Sequence, residues 1–197
     1  MIPVTPQPEP VGFDVQVRQK GLKFLQTHDI TTTVPSGKTL PSHWRACLDD
    51  LYASYQGQCA YLAVFFERVT GGGTVDHFIA KSHRPDLAYE WSNYRLACSH
   101  MNSRKRDYKD VLDPFEIMEG WFRLEMVTGQ IYPSPELDPE RRDAVKATID
   151  RLGLDAPGNR DMRSRHYLEY LEGTYTAKFL HQRSPFVWYE AQRQGLL

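Results

Sequence analysis

Cysteine is scarce in this sequence. Cys47, Cys59 and Cys98 are the only three among 197 residues. A sparse, odd count argues against a disulfide framework and fits a reducing compartment. Net charge is almost absent: 24 Lys and Arg stand against 25 Asp and Glu, leaving −1 at neutral pH. That balance argues against a uniformly basic nucleic-acid coat, so any nucleic-acid contact needs a local patch or a partner. Long apolar runs are missing too. No stretch approaches the roughly 18 apolar residues of a membrane span. The opening MIPVTPQPEPVGFD has no basic segment followed by an apolar one, the pattern of a secretory signal. The expectation is a cytoplasmic protein without membrane association. A hydrophobic content of 41% and 12% aromatics suffice for one sizeable domain or one with an appendage.

The first twelve residues are proline-rich and read as an extended arm. After VPSGKTLPS, the residues Trp44, Cys47, Leu48, Leu51, Tyr52 and Tyr55 recur at helical spacing. They predict a helix over 43–55 with Ser42 as its N-cap. CAYLAVFFERV and TVDHF flank TGGG and read as a hairpin or a sharply turned strand pair. NYRLAC reads as a further strand and SHMNSRKRDYKDVL as a helix. A second hairpin is expected over 120–134, turning at Thr128–Gly129. A helix is expected over 138–154, with Asp138 as cap, Pro139 in the first turn and Gly153 near the end. The final stretch reads as one more helix with a break at Gly173. The expected division is an N-terminal arm (1–42), a core with a flanking hairpin (43–134) and a helical C-terminal extension (135–197).

The chemistry-bearing residues lie in the middle segment. Asp76 and His77 are adjacent, Asn93 follows sixteen positions after His77, and Asn102 nine positions after Asn93. A strand carboxylate and a helix amide brought together offer hard oxygen ligands, which suit Mg²⁺. A neighbouring histidine can then take a proton from water. Taken alone, an Asp-His pair at a strand end is more often structural, Asn93 could simply cap a turn, and Arg104, Lys105, Arg106 and Lys109 could be an ordinary charged helix face. His28, His43, His83, His166 and His181 have no partner at ligand spacing and read as surface or core. Cys47 reads as core, and Trp91 as the anchor of the loop between the strands.

The run DHFIAKS…AYEWSNYRLAC…MNSRK resembles the HNH, or ββα-metal, endonucleases. It is most similar to a branch with the pattern D-H-F-x-P-K-S…Y-x-W-x-N-L-x-x-S/A-C-x-x-C-N-x-x-K, found beside ATPases in bacterial anti-phage systems of the Septu and retron type. The resemblance covers about the first two-thirds of the chain, and residues 59–105 are its specific part. It implies an α+β fold, with a ββα-metal core embedded in helices and a helical C-terminal extension. It implies Mg²⁺- or Mn²⁺-dependent hydrolysis of DNA phosphodiesters, with an ATPase or sensor subunit as partner. His77 would be the general base and Asn93 would hold His77 and its loop. Asp76 and Asn102 would bind the metal. Lys81, Arg104 and Lys105 would contact the nucleic acid. Two departures stand out. The family's paired C-x-x-C knuckles appear here as Cys59-Ala60-Tyr61-Leu62 and Cys98-Ser99-His100-Met101, so no structural zinc is expected. Ala80 stands where the family usually has Pro. The rival readings are an HNH scaffold kept as an inactive binding or regulatory subunit, and a nuclease acting alone.

Overall fold

A computed structural model describes residues 1–197. It is α+β, with eight helices and two small antiparallel sheets. The chain forms two compact units. The first comprises Met1–Thr5, Gln58–Phe65 and Asp110–Leu197; the second comprises Pro6–Gly57 and Phe66–Lys109. This division cuts across the arm, core and extension read from the sequence. The arm is not a separate piece. In the second unit, the Trp91 indole N–H donates to Gln7 O (2.8 Å), and the Gln7 N–H donates to the Tyr55 hydroxyl (3.1 Å).

The second unit holds helices α1 (Gln19–Thr27), α2 (Leu48–Ser54), α3 (Arg68–Gly71) and α4 (Ser99–Lys105). Its sheet pairs β1 (Gly73–His77) with β2 (Tyr94–Cys98). The register sets Gly73 opposite Cys98, Asp76 opposite Arg95 and His77 opposite Tyr94. The expected hairpin across TGGG is therefore not formed. Gly72, at φ 55°, instead ends α3 and leads directly into β1. A side chain there would collide with Ser99, whose hydroxyl donates to the Gly72 carbonyl (2.7 Å). All five residues of β2 are buried, so the strand has no solvent face and no alternation. Helix α4 packs on both strands and α2 on β1. Phe13, Trp91 and Tyr94 form an edge-to-face cluster with centroids 5.6–6.4 Å apart. The expected helix over 43–55 splits into a 3₁₀ segment, His43–Cys47, followed by α2, and Ser42 makes no side-chain cap.

In the first unit, residues 59–65 make a tight turn. Ala63 N donates to Cys59 O (2.8 Å) and Cys59 N to Val64 O (2.9 Å). The expected second hairpin is present as β3 (Phe122–Leu124) and β4 (Ile131–Pro133), with Gly129 at φ 69° in the turn. Helix α5 (Pro139–Leu152) begins where Asp138 accepts a hydrogen bond from Arg141 N (2.9 Å) and ends at left-handed Gly153. The Gly173 break separates α6 (Pro157–Leu171) from α7 (Ala177–Arg183), and α8 (Pro185–Arg193) follows. Arg163, on α6, faces inward. It is buried and donates to Gly129 O and Leu154 O, both at 2.9 Å. No helix is long and apolar enough to cross a membrane.

Candidate functional site

A cleft of about 630 Å³ opens in the second unit. Asp76, His77, Lys81 and Asn102 all line it. They arrive from three directions: the end of β1, the loop after it, and the first turns of α4.

His77 is buried at 7% exposure. Its Nε2 lies 2.9 Å from the Ala88 carbonyl oxygen, which can only accept. Nε2 therefore carries the ring proton, and Nδ1 holds a lone pair. The ring is wedged edge-to-face against Trp44 (4.7 Å) and Tyr94 (5.2 Å). Burial, reinforced by the charges of Lys81 and Lys105 and opposed by the Ala88 bond, lowers its pKa to about 4. The imidazole is therefore neutral and competent as a base at neutral pH.

Asn93 acts as a staple. Its Oδ1 accepts from Ile79 N (2.8 Å), and its Nδ2 donates to Ile79 O (3.0 Å) and Leu87 O (3.1 Å). Its own carbonyl accepts from Phe78 N (2.9 Å). Both ends of the loop between β1 and β2 are thus tied to one side chain. That loop carries Lys81 and the Ala88 carbonyl that orients His77.

Asp76 is 2% exposed, and its Oδ2 lies 3.9 Å from the Lys105 ammonium. Lys105 is fully buried. It donates to Phe78 O (2.6 Å) and lies 3.3 Å from His77 O. Its assignment as a phosphate contact is accordingly replaced: the ammonium binds the carbonyls of the strand end and has no exposed surface for a ligand. Helical phase explains this. Met101 and Lys105, four residues apart, form the buried face of α4. Asn102 lies roughly 100° to one side of that face and Arg104 roughly 100° to the other. Arg104 is not among the cleft residues, and its Nε points to the His100 ring nitrogen (3.3 Å).

Lys81 sits with its ammonium 4.3 Å above the Trp44 ring, and burial lowers its pKa. Arg45 and Arg106 also line the cleft and were not singled out from sequence. Arg106 lies just beyond the last residue of α4, at φ 50°, so helical spacing does not describe its direction. Arg45 comes from the segment before α2, distant in sequence from the motif, and no spacing signal links the two.

The cleft's oxygen donors include the Asp76 and Asp107 carboxylates and the Asn102 amide, and Asp76 with Asn102 is the pair that the sequence pattern singles out. No group of three or more His, Cys, Asp or Glu side chains converges to hold a metal, in the cleft or elsewhere. This donor set is hard and sparse. It fits an ion that keeps most of its water, and it lacks the thiolate and imidazole ligands of a closed tetrahedral site. Cys59 and Cys98 are both buried, in different units, and neither is in a disulfide. Comparison with protein-family models and with curated proteins gives no match.

The two buried histidines couple stability to pH. His166, whose Nδ1 lies 3.0 Å from the Ser184 hydroxyl, also has its pKa lowered to about 4 by burial first and by Arg183 second. Both folded values lie below the unfolded value near 6.5, so the unfolded chain binds more protons between them. The stabilisation is complete above about pH 6.5 and is lost as pH falls towards 4, by roughly 3 kcal/mol per histidine. Urea unfolding at pH 7 and pH 4.5 should show this fall, and a His166→Gln variant should show a shallower one. An unchanged midpoint would mean that neither ring is held neutral.

Proposed function

We propose that this chain is a metal-dependent endonuclease of the HNH type that hydrolyses DNA phosphodiesters, with β1, β2 and α4 as its ββα-metal core. The observation that carries the reading is the His77–Ala88 bond. It leaves a basic Nδ1 on a ring that lines the same cleft as Asp76 and Asn102.

In this reading, Asp76 and Asn102 hold Mg²⁺ or Mn²⁺. When bound, the ion offsets negative charge developing on the phosphoryl group and on the leaving oxygen. His77 Nδ1 takes one proton from water as its oxygen bonds to phosphorus. The bond from phosphorus to the 3′-oxygen breaks, and that oxygen acquires a proton from solvent. The products implied by the family resemblance are a 5′-phosphate and a 3′-hydroxyl. Trp44, Tyr94 and the Ala88 carbonyl fix the plane of the imidazole, and Asn93 fixes the loop that supplies Ala88. Lys81, on the cleft wall, is placed to meet a substrate phosphate. The resemblance further suggests a role in anti-phage defence under an ATPase or sensor partner.

The test is plasmid cleavage by the purified chain with Mg²⁺, Mn²⁺ or EDTA. Nicking or linearisation that requires the metal supports the reading. No cleavage in either metal, with or without a co-expressed neighbouring gene product, would favour a binding subunit.

A further inference from the structure

The cleft contains more positive charge than the proposed chemistry uses. Arg45, Lys81 and Arg106 line it, against the carboxylates of Asp76 and Asp107. Arg45 and Arg106 are exposed, and neither guanidinium has a hydrogen bond or ion pair within the protein. An exposed, unpaired arginine loses little hydration on meeting a phosphate, and its planar fork matches two phosphate oxygens. Equally telling is what the cleft does not present. Its aromatic residue is Trp44, and that indole is engaged by the Lys81 ammonium (4.3 Å), the His77 ring (4.7 Å) and the Tyr89 ring (6.0 Å). It is not a vacant platform for a stacked base. The cleft has cations for phosphates and no aromatic face for bases.

From this, and resting on the nuclease reading, we propose that the cleft grips nucleic acid through the sugar-phosphate backbone alone, with Arg45, Lys81 and Arg106 as its phosphate contacts. Recognition is then independent of base sequence, because phosphate contacts position the strand and carry no sequence information. Affinity falls steeply with salt, because each phosphate neutralised releases condensed counterions. The arginines lie on different segments, one before α2 and one at the end of α4. They therefore reach the strand from different parts of the cleft wall.

The experiment is equilibrium binding by the full chain in EDTA, which keeps cleavage out of the readout. The probes are a labelled single-stranded oligodeoxynucleotide of mixed sequence and an abasic strand of the same length. Each is titrated over a range of salt concentrations with wild type and with the Arg45→Gln/Arg106→Gln double variant. The two probes should bind wild type within about threefold of each other, since loss of even one stacked base costs about fivefold or more. The double variant should lower the slope of log affinity against log salt by about 1.4, roughly 0.7 for each lost contact on a single strand. Both substitutions are at exposed positions, and a matching thermal melt will show that the fold is retained. An abasic strand bound more than tenfold more weakly, or an unchanged slope, overturns the proposal. So does failure of wild type to bind either probe. In each case metal-dependent plasmid cleavage by wild type would show that the nuclease reading itself survives.

Discussion

Replacing His77 by alanine should slow metal-dependent DNA cleavage by about 10²- to 10⁴-fold, the usual contribution of a positioned general base. The loss should fall on kcat and leave DNA affinity nearly unchanged, because the ring's Nε2 is committed to Ala88 and only Nδ1 is left for chemistry. The Ala88 carbonyl is not orphaned by the change, since the Tyr94 hydroxyl also donates to it (2.8 Å). The variant should therefore fold. The pH profile gives a second readout. With the His77 pKa lowered to about 4, the basic form is fully populated from about pH 5 upward. Wild-type activity should show no acid limb near pH 6.5, where an unperturbed histidine would lose its base form. Single-turnover cleavage of a labelled duplex from pH 5 to 9 measures both. Equal rates for the variant and wild type, with cleavage still dependent on metal, would remove His77 from the mechanism. An acid limb at 6.5 would mean that the ring is more hydrated than its 7% exposure indicates.

The chain order of the site could be read because its spacing is local. Asp76 and His77 close one strand, Asn93 immediately precedes the next, and Asn102 lies one turn into the helix that follows. Antiparallel pairing of β1 with β2 and the packing of α4 on both then bring Asp76, His77 and Asn102 to one cleft, while Asn93 stays off it and ties the loop. The capped helix over 138–154 and the hairpin over 120–134 could be read for a similar reason. Asp138, Pro139, Gly153 and Gly129 act within a few residues of themselves. The failures have the opposite character. TGGG looked like a hairpin turn because both flanks are β-branched and aromatic. Strand pairing is non-local, however, and β1 found its partner some twenty residues downstream. The basic run at 104–109 looked uniform in sequence, but α4 ends at Lys105 and Arg106 turns off it at φ 50°, so its members meet different surroundings. Lys105 faces inward, Arg104 lies off the cleft, and Arg106 returns to it. Arg45 and Trp44 could not be attached to the motif, because only tertiary packing brings their segment to β1.

The largest stability effect should come from Lys105→Met. The substitution keeps most of the side chain's length and apolar stem but removes its charge. Two consequences follow together. The carbonyls of Phe78 and His77 lose the ammonium that lies 2.6 and 3.3 Å away, and the buried Asp76 carboxylate loses a cation at 3.9 Å. Removing one partner of a buried ion pair typically costs 3–5 kcal/mol, mostly because the remaining charge stays desolvated. Separation from Asp76 is long for a direct contact, so a loss of about 3 kcal/mol, at the lower end, is expected. Lys81→Met provides the contrast. That ammonium lies at the cleft over Trp44, a contact worth about 0.5–2 kcal/mol. Urea denaturation should therefore rank Lys105→Met well below Lys81→Met in stability, while DNA binding should rank them the other way. Restoring the internal charge balance with Lys105→Met/Asp76→Asn should recover part of the lost stability but no cleavage, because the carboxylate proposed to bind metal is then gone. If Lys105→Met instead unfolds with the wild-type midpoint and lowers the salt slope of DNA binding, the lysine reaches the phosphate backbone and its interior role is wrong. The two lysines carry the same charge and sit in one stretch of chain between β1 and the end of α4. Burial alone separates a residue that builds the site from one that meets what enters it.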